Sequence, residues 1–183
     1  AWPEHDYLGA LAASNGIRVK TSAYRRVFAS AGLAGAKITG NYFNSMLAKT
    51  EARQAGFDEA LMLDAQGFVS ECAVENIFMV QKGALVTPTT ENALNGITRQ
   101  SIMEIARDNG IEVREEKFTQ DQLCSADEVF ITGTSAEVTP VVQVDGKKIG
   151  NGCPGTVTKK LQGIYFDAVR GMEKKYKKWL RMV

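Results

Sequence analysis

The sequence is short of the residues on which several common kinds of site depend. Histidine occurs once, as His5, which makes histidine-based catalytic triads and multi-histidine metal centres poor candidates. The three cysteines, Cys72, Cys124 and Cys153, are odd in number and widely spaced. This argues against a disulfide framework or a zinc site and favours a reducing compartment, so we expect a cytoplasmic protein with no bound metal.

Net charge and long apolar runs are also lacking. The chain carries 22 basic and 21 acidic side chains, for a net charge of +1, which gives no electrostatic preference for nucleic acid or for membrane surfaces. No apolar run approaches the length of a membrane span, and no signal peptide is recognisable. We therefore expect neither a nucleic-acid nor a membrane partner. The 183 residues, of which 44% are hydrophobic and 23% charged, are typical of one globular domain with a sizeable core.

Strand-like segments outnumber helical ones, and the two kinds are mixed along the chain. Turn residues between apolar runs predict three hairpins, around Gly67, around Lys82-Gly83 and around Asp145-Gly146. This mixture predicts an α+β fold, with a mixed sheet or pseudo-barrel surrounded by helices.

After a short helix-like segment in "LGALAASNG", helices are predicted in four further places. From Gly40 to Gly56, the residues Tyr42, Phe43, Met46 and Leu47 recur at helical spacing. "GITRQSIMEIARDNG" is amphipathic and "PGTVTKKLQGIYFDAVRG" is the last helix, while Thr119 and Gln122 form a capping box for a short one. The terminal "EKKYKKWLRMV" is predicted to be a solvated tail with Trp179 and Leu180 packed against the domain.

Lys37 is unusual because it stands in "AGAKITGNYFNS" among small and apolar residues, with no acid nearby. One interpretation is a solvated loop lysine. The other is a lysine held in an apolar site, ready to form a Schiff base. Glu71 and Glu75 in "VSECAVENIF" also have two interpretations, as surface carboxylates at a hairpin rim or as a buried carboxylate beside a cation.

Two further segments have the composition of anion sites. In "LNGITR", Gly96 precedes a helix and Thr98 lies at or near its N-cap, where free backbone N–H groups favour phosphate. In "ITGTSAEVTP", a buried strand ends in small and hydroxyl residues. Each segment alone also fits an ordinary helix start or polar turn. A lysine, an acid and two anion loops together fit pyridoxal 5'-phosphate.

The segments "AKITGNYFNSMLAKTEA", "SECAVENIF", "LVTP", "ALNGITR" and "ITGTSAEVTPV" resemble the class IV (fold-type IV) pyridoxal-phosphate enzymes, and among them most closely the branched-chain amino acid aminotransferases. They occur in the family's order and cover nearly the whole chain after about Ser22. The resemblance implies the large C-terminal domain of the D-amino acid aminotransferase-like fold.

The resemblance also implies roles for particular residues. Lys37 matches the lysine that forms the Schiff base and moves the proton, and Glu71 matches the carboxylate paired with the pyridine nitrogen. The other implied cofactor contacts are Tyr42 to the ring oxygen, Leu94 against the ring, and Gly96, Ile97, Thr98 and Thr134 to the phosphate. The loop of Thr134, Ser135 and Ala136 is implied to receive the substrate carboxylate.

The resemblance implies transamination of leucine, isoleucine and valine with 2-oxoglutarate, so that amino acids and 2-oxo acids are the expected small-molecule partners. It also implies a homodimer or a higher homo-oligomer. Residues 1–16 are expected to be an interdomain segment and 17–183 the large domain, with the family's smaller N-terminal domain absent. The alternatives are a D-amino acid transaminase, an aminodeoxychorismate lyase, or a non-catalytic domain that binds a phosphate ligand.

Overall fold

A nine-stranded mixed sheet is the centre of the part of the chain that the structure, a computed structural model, describes, namely residue 8, residues 11–26 and residues 35–181. The strands are β1 Ile17–Thr21, β2 Glu59–Leu63, β3 Val69–Cys72, β4 Asn76–Gln81, β5 Ala84–Thr87, β6 Val113–Glu115, β7 Glu128–Gly133, β8 Glu137–Val144 and β9 Lys147–Lys148. Their order in the sheet is β3-β2-β1-β8-β7-β4-β5-β6, and β9 pairs with β8. Parallel pairs (β1 with β2, β1 with β8, β5 with β6) occur beside antiparallel ones.

Helices pack on this sheet and connect its strands. They are α1 Ala12–Asn15, α2 Thr39–Gln54, α3 Ile97–Asp108, α4 Gln120–Cys124 and α5 Thr156–Val169, followed by a 3₁₀ helix at Lys174–Trp179. Within the described residues, no helix has the length and apolar character needed to cross a membrane. The predicted capping box at α4 is confirmed, because Thr119 Oγ1 accepts from the Gln122 amide and the Gln122 side chain accepts from the Thr119 amide.

All three predicted hairpins are present as antiparallel pairs, β2 with β3, β4 with β5 and β8 with β9. At the tightest two turns, Lys82-Gly83 and Asp145-Gly146, both residues have positive φ. That conformation matches the right-handed twist of paired strands and favours glycine and aspartate. Local turn chemistry therefore fixes the register of these strands.

The sheet is buried on both faces. Along β4, Ile77 and Met79 belong to one hydrophobic core, while Phe78 and Val80 belong to a second core that includes α3 and α5. Phe78 stacks on Phe130 of β7 with ring centroids 5.0 Å apart. Because both faces are covered, the sequences of such strands are continuous apolar runs and do not alternate between apolar and polar residues.

The predicted helix after Lys37 forms, but Phe43 and Met46, two of the large apolar residues that predicted it, do not face the sheet. Phe43 and Met46 are 70% and 66% exposed. The buried side of α2 instead carries Asn41, Ser45, Ala48, Lys49 and Ala52. Alanines allow α2 to pack closely on β2, where Lys49 pairs with the fully buried Glu59.

The prediction of a solvated tail after α5 is confirmed for its exposed lysines and for Trp179, which packs against the second core, but it missed Tyr176 and misplaced Leu180. Tyr176 of the 3₁₀ helix is buried, stacks on Trp179 at 4.4 Å between ring centroids and donates to Asp108 Oδ2 at 3.0 Å. Leu180, predicted to pack, is 37% exposed. An amphipathic tyrosine holds this segment because its ring is buried while its hydroxyl reaches a carboxylate.

One edge of the sheet gathers the loops that matter for function. Strand β4 begins opposite the end of its antiparallel partner β7, with Asn76 paired to Thr132. The connection 73–75 and the connection 134–136 therefore meet at this edge, and residues 94–96 before α3 lie beside them.

Candidate active site

Three adjoining cavities at this edge share Lys37 and Val74 as wall residues. We call them the Glu71 cavity, the Gly96 cavity and the Ser135 cavity. The Glu71 cavity is also lined by Arg26, Tyr42 and Leu94; the Gly96 cavity by Asn76, Leu94, Ile97, Thr98, Thr132 and Thr134; and the Ser135 cavity by Tyr42, Glu75, Gly133, Thr134 and Ala136. Every residue to which the resemblance assigns a role thus lines at least one of these three cavities.

Lys37 lies in the extended segment immediately before α2, where the three cavities meet. Its side chain is exposed, so the interpretation of a lysine enclosed by apolar residues was wrong for the described part of the chain. The reason is local, since the helix starts only at Thr39 and leaves Lys37 on the rim. The amine can therefore reach each cavity. Residues 27–34, which precede this segment in the sequence, lie outside the described residues.

Glu71 is buried on β3, and three donors hold its carboxylate. Oε1 accepts from Arg26 Nε at 2.5 Å, and Oε2 accepts from the Leu94 amide at 3.0 Å and from Asn76 Nδ2 at 3.2 Å. Burial raises the pKa of Glu71, and the adjacent Arg26 and the Leu94 amide oppose that rise. The interpretation of a buried carboxylate beside a cation is confirmed. An ionised carboxylate has about four acceptor positions, so one remains for a ligand N–H.

Helix α3 directs its first turn at the Gly96 cavity. Gly96 is the N-cap, so it has no side chain to bond the first helical amides, and these amides carry the positive end of the helix dipole. Thr98 is the second residue of the helix, which confirms its predicted place near the N-cap; its side chain is buried, while Ile97 is 83% exposed. The start of a helix without a capping side chain is a favourable place for an anion.

The end of β7 adds hydroxyl groups to the same cavity. Thr132 is buried, and its Oγ1 has no hydrogen-bond partner among the described residues. Thr134 and Ser135 are exposed beyond it, and Ala136 is buried. A buried hydroxyl without a partner is uncommon in folded proteins. Its position in the wall of the Gly96 cavity suits a ligand oxygen.

Glu75 belongs to a buried charged cluster behind the Ser135 cavity. Lys49 and Glu59 form an ion pair there, and both are buried. Burial, followed by the nearby Glu59 carboxylate, raises the pKa of Glu75 to about 8, although Lys49 acts in the opposite direction. The interpretation of Glu75 as a surface carboxylate was therefore wrong, and its surroundings favour the protonated form of its carboxyl group.

Sequence reasoning missed the side chains that support the cavities. Arg26, Asn76 and Thr132 line them, although no sequence pattern assigned a role to any of the three. For Arg26 a weak signal existed, because a buried glutamate requires a cation and a pair of arginines, Arg25 and Arg26, follows β1 by a few residues. In the described residues, no group of three or more His, Cys, Asp or Glu side chains could hold a metal ion.

The residues present fit pyridoxal phosphate. The Glu71 carboxylate retains an acceptor position for the ring nitrogen, and Tyr42 stands beside Lys37 in the wall of the Glu71 cavity. The uncapped start of α3 and the Thr132 hydroxyl, which has no partner in the described part of the chain, line a common cavity suited to a phosphate. Lys37 borders both cavities and supplies the amine that an aldehyde requires.

Comparison with known proteins agrees with this site. Residues 3–144 match the model of the family described as amino-transferase class IV, and the chain belongs to that family. It is 45% identical over 183 residues to the branched-chain-amino-acid aminotransferase of Pseudomonas aeruginosa, covering 100% of this chain and 60% of the relative. The chain thus spans about 60% of the length of such relatives.

Solved structures give the same result for the fold. The Escherichia coli branched-chain amino acid aminotransferase has a TM-score of 0.92 and 44% identity, covering 96% of this chain and 58% of that one. The branched-chain amino acid aminotransferase of Thermobaculum terrenum, solved in its PLP-form, has a TM-score of 0.91 and 34% identity, covering 98% of this chain and 58% of that one. The prediction of an α+β fold of the aminotransferase type is confirmed.

Proposed function

We propose that this chain supplies the pyridoxal 5'-phosphate site of a branched-chain amino acid aminotransferase. The reaction is the transfer of the amino group of L-leucine, L-isoleucine or L-valine to 2-oxoglutarate. The observation that carries the proposal is the meeting of Lys37, the buried Glu71 carboxylate and the uncapped start of α3 around adjoining cavities. The names of the relatives, at 44% and 45% identity, favour branched-chain substrates.

Each residue has a task in this proposal. When bound, pyridoxal phosphate supplies an electron sink for the carbon that loses its proton. Lys37 would hold the cofactor through its amine and, once a substrate amine has taken that place, would take the proton from the substrate Cα and deliver it to the cofactor carbon. Glu71 would accept a hydrogen bond from the protonated ring nitrogen, and the Tyr42 hydroxyl would orient the ring oxygen. Leu94 packs against the ring.

The phosphate and the substrate are held by main-chain groups and hydroxyls. The amides at Ile97 and Thr98, with the hydroxyls of Thr132 and Thr134, are the proposed phosphate contacts. Ser135 and Ala136, next to Thr134, offer amides to the substrate carboxylate. The Ser135 cavity borders Lys37, so a carboxylate bound there would put the substrate Cα near the amine.

A substrate panel tests the proposal. The protein is loaded with pyridoxal phosphate and given L-leucine, L-isoleucine, L-valine, D-alanine or aminodeoxychorismate, and the 2-oxo acid or elimination product is measured. We expect products from the three branched L-amino acids only, and none from Lys37→Ala. The exposed Lys177→Ala is the matched control and should react like the wild type. Products from D-alanine or aminodeoxychorismate alone would favour the other members of the class, and no product at all would favour a non-catalytic phosphate-binding domain.

The proposal extends to the organisation of the whole protein. We propose that residues 17–183 are the large cofactor-binding domain, that residues 1–16 lead from a smaller N-terminal domain, and that the protein is a cytoplasmic homodimer or higher homo-oligomer. The greater length of the relatives supports the first part. Light scattering on the cofactor-loaded protein should give at least twice the mass of one chain, and a monomer would contradict the oligomer.

A further inference from the structure

Asn76 connects two parts of the site that are far apart in sequence. It is the first residue of β4, buried, and its side-chain amide lies between Glu71 and the turn before α3. Nδ2 donates to Glu71 Oε2 at 3.2 Å and to the Leu94 carbonyl at 2.7 Å. Both hydrogens of the amide nitrogen are thus used, one toward each part of the site.

Leu94 completes a closed arrangement with the same carboxylate. Its backbone amide donates to Glu71 Oε2 at 3.0 Å, while its carbonyl accepts from Asn76. The same carbonyl accepts from the Gly96 amide at 2.9 Å. The carboxylate, the asparagine amide and the turn that starts α3 are therefore hydrogen-bonded into one unit.

Gly96 leaves the space that this arrangement needs. A Cβ atom built on Gly96 would lie 2.3 Å from Asn76 Oδ1, far inside van der Waals contact. The backbone at Gly96 has φ −65° and ψ 146°, which any residue can adopt. Glycine is thus required here for the close approach of Asn76 and not for an unusual backbone conformation.

We infer that Asn76 is a positioning residue that holds the Glu71 carboxylate at a fixed separation from the Gly96 turn. This rests on the proposed function, in which Glu71 receives the ring nitrogen and the Gly96 turn receives the phosphate. A rigid cofactor fits both ends only when their separation is fixed. Asn76 itself touches neither reacting atom; it makes the two ends of the site act together.

Asn76→Ala tests this with binding measurements that do not depend on turnover. The dissociation constants of pyridoxal phosphate and of pyridoxal are measured by equilibrium dialysis, and their ratio reports what the phosphate contributes. We expect pyridoxal phosphate to bind about 10- to 100-fold more weakly, as is typical when a supporting hydrogen-bond partner is lost. The ratio should also fall, because the turn is no longer held. A residue that only stabilises the fold would lower the unfolding temperature and leave this ratio unchanged.

Asn109→Ala is the matched control. Asn109 also donates through Nδ2 to a backbone carbonyl, that of Ile105 at 2.9 Å, but it lies at the far end of α3. It should bind both ligands like the wild type.

Gly96→Ala tests the same contact from the other side and does not depend on whether Asn76→Ala folds. Alone, it should weaken pyridoxal phosphate binding about tenfold or more, because the new methyl group displaces Asn76. In the double variant Asn76→Ala/Gly96→Ala the methyl group no longer meets Oδ1, so the two losses should not add. Wild-type affinity in Asn76→Ala, or additive losses in the double variant, would overturn the inference. If wild-type protein bound no pyridoxal phosphate at all, the proposed function would fail first, which is a distinct result.

Discussion

Replacing Glu75 by glutamine should make the protein more stable at alkaline pH and should flatten its stability between about pH 5 and 8. Glu75 is 2% exposed. The titratable groups that face it are Glu59, Lys49 and Cys72. Burial and the Glu59 carboxylate favour the protonated form. Glutamine has nearly the shape of that neutral form and cannot ionise, so it keeps the packing and removes the titration.

The direction in which stability changes with pH follows from how the folded and unfolded chains bind the Glu75 proton. The pKa of Glu75 rises from 4.5 in the unfolded chain to about 8 in the fold. Below pH 4.5 the Glu75 side chain is protonated in both the folded and the unfolded chain, so its full contribution to the free energy of unfolding is present. Between the two pKa values only the folded state keeps the proton, so stability falls as pH rises. The difference of 8 − 4.5 = 3.5, at about 1.4 kcal/mol per unit, gives an upper bound of about 5 kcal/mol.

Urea unfolding at a series of pH values measures this effect. The difference in unfolding free energy between Glu75→Gln and the wild type should grow from about pH 5 to about pH 8 in favour of the variant, and then level off. Glu116→Gln, an exposed glutamate, is the control and should follow the wild-type curve. Parallel curves for Glu75→Gln and the wild type across this range would refute the reasoning that Glu75 is neutral in the fold.

Two further variants examine the cavities themselves. Glu71→Gln leaves the buried Arg26 without its carboxylate and should lower the unfolding free energy, measured by urea titration, by about 3–5 kcal/mol. The control is Glu112→Gln, from the exposed pair with Arg114, which should show no measurable change. Equal effects of the two variants would contradict the buried ion pair. Thr132→Val removes a hydroxyl that has no partner in the described residues, so it should leave stability unchanged or raise it by about 1–3 kcal/mol. The same variant should weaken pyridoxal phosphate binding several-fold in dialysis, and unchanged binding would exclude the hydroxyl from the phosphate site.

Local signals in the sequence were sufficient for the hairpins and for the main helices. Gly83 and the pair Asp145-Gly146 are residue types that accept the positive φ found in these two turns. That Lys37, Glu71 and Gly96 share one site could be predicted only from the family resemblance. Local sequence patterns carry no information about contacts between residues so far apart in sequence.

Long-range partners are what the sequence could not supply. Arg26 is 45 residues from Glu71, and the Asn76 amide bonds a carbonyl 18 residues on. Which side of α2 is exposed could not be predicted for a related reason. The sequence shows the helical spacing of α2. Its buried side, however, is set by the ion pair of Lys49 with the buried Glu59, which lies on the neighbouring strand β2.

The most direct test of the central claim is to trap the lysine. The chain is incubated with pyridoxal phosphate, reduced with borohydride and digested, and the labelled peptide is identified by mass spectrometry. We predict that the label lies on Lys37, that inorganic phosphate in excess slows labelling, and that Lys37→Ala shows no preferred site. Label scattered over exposed lysines such as Lys174 and Lys177, with none preferred, would contradict the assignment of these cavities to the cofactor.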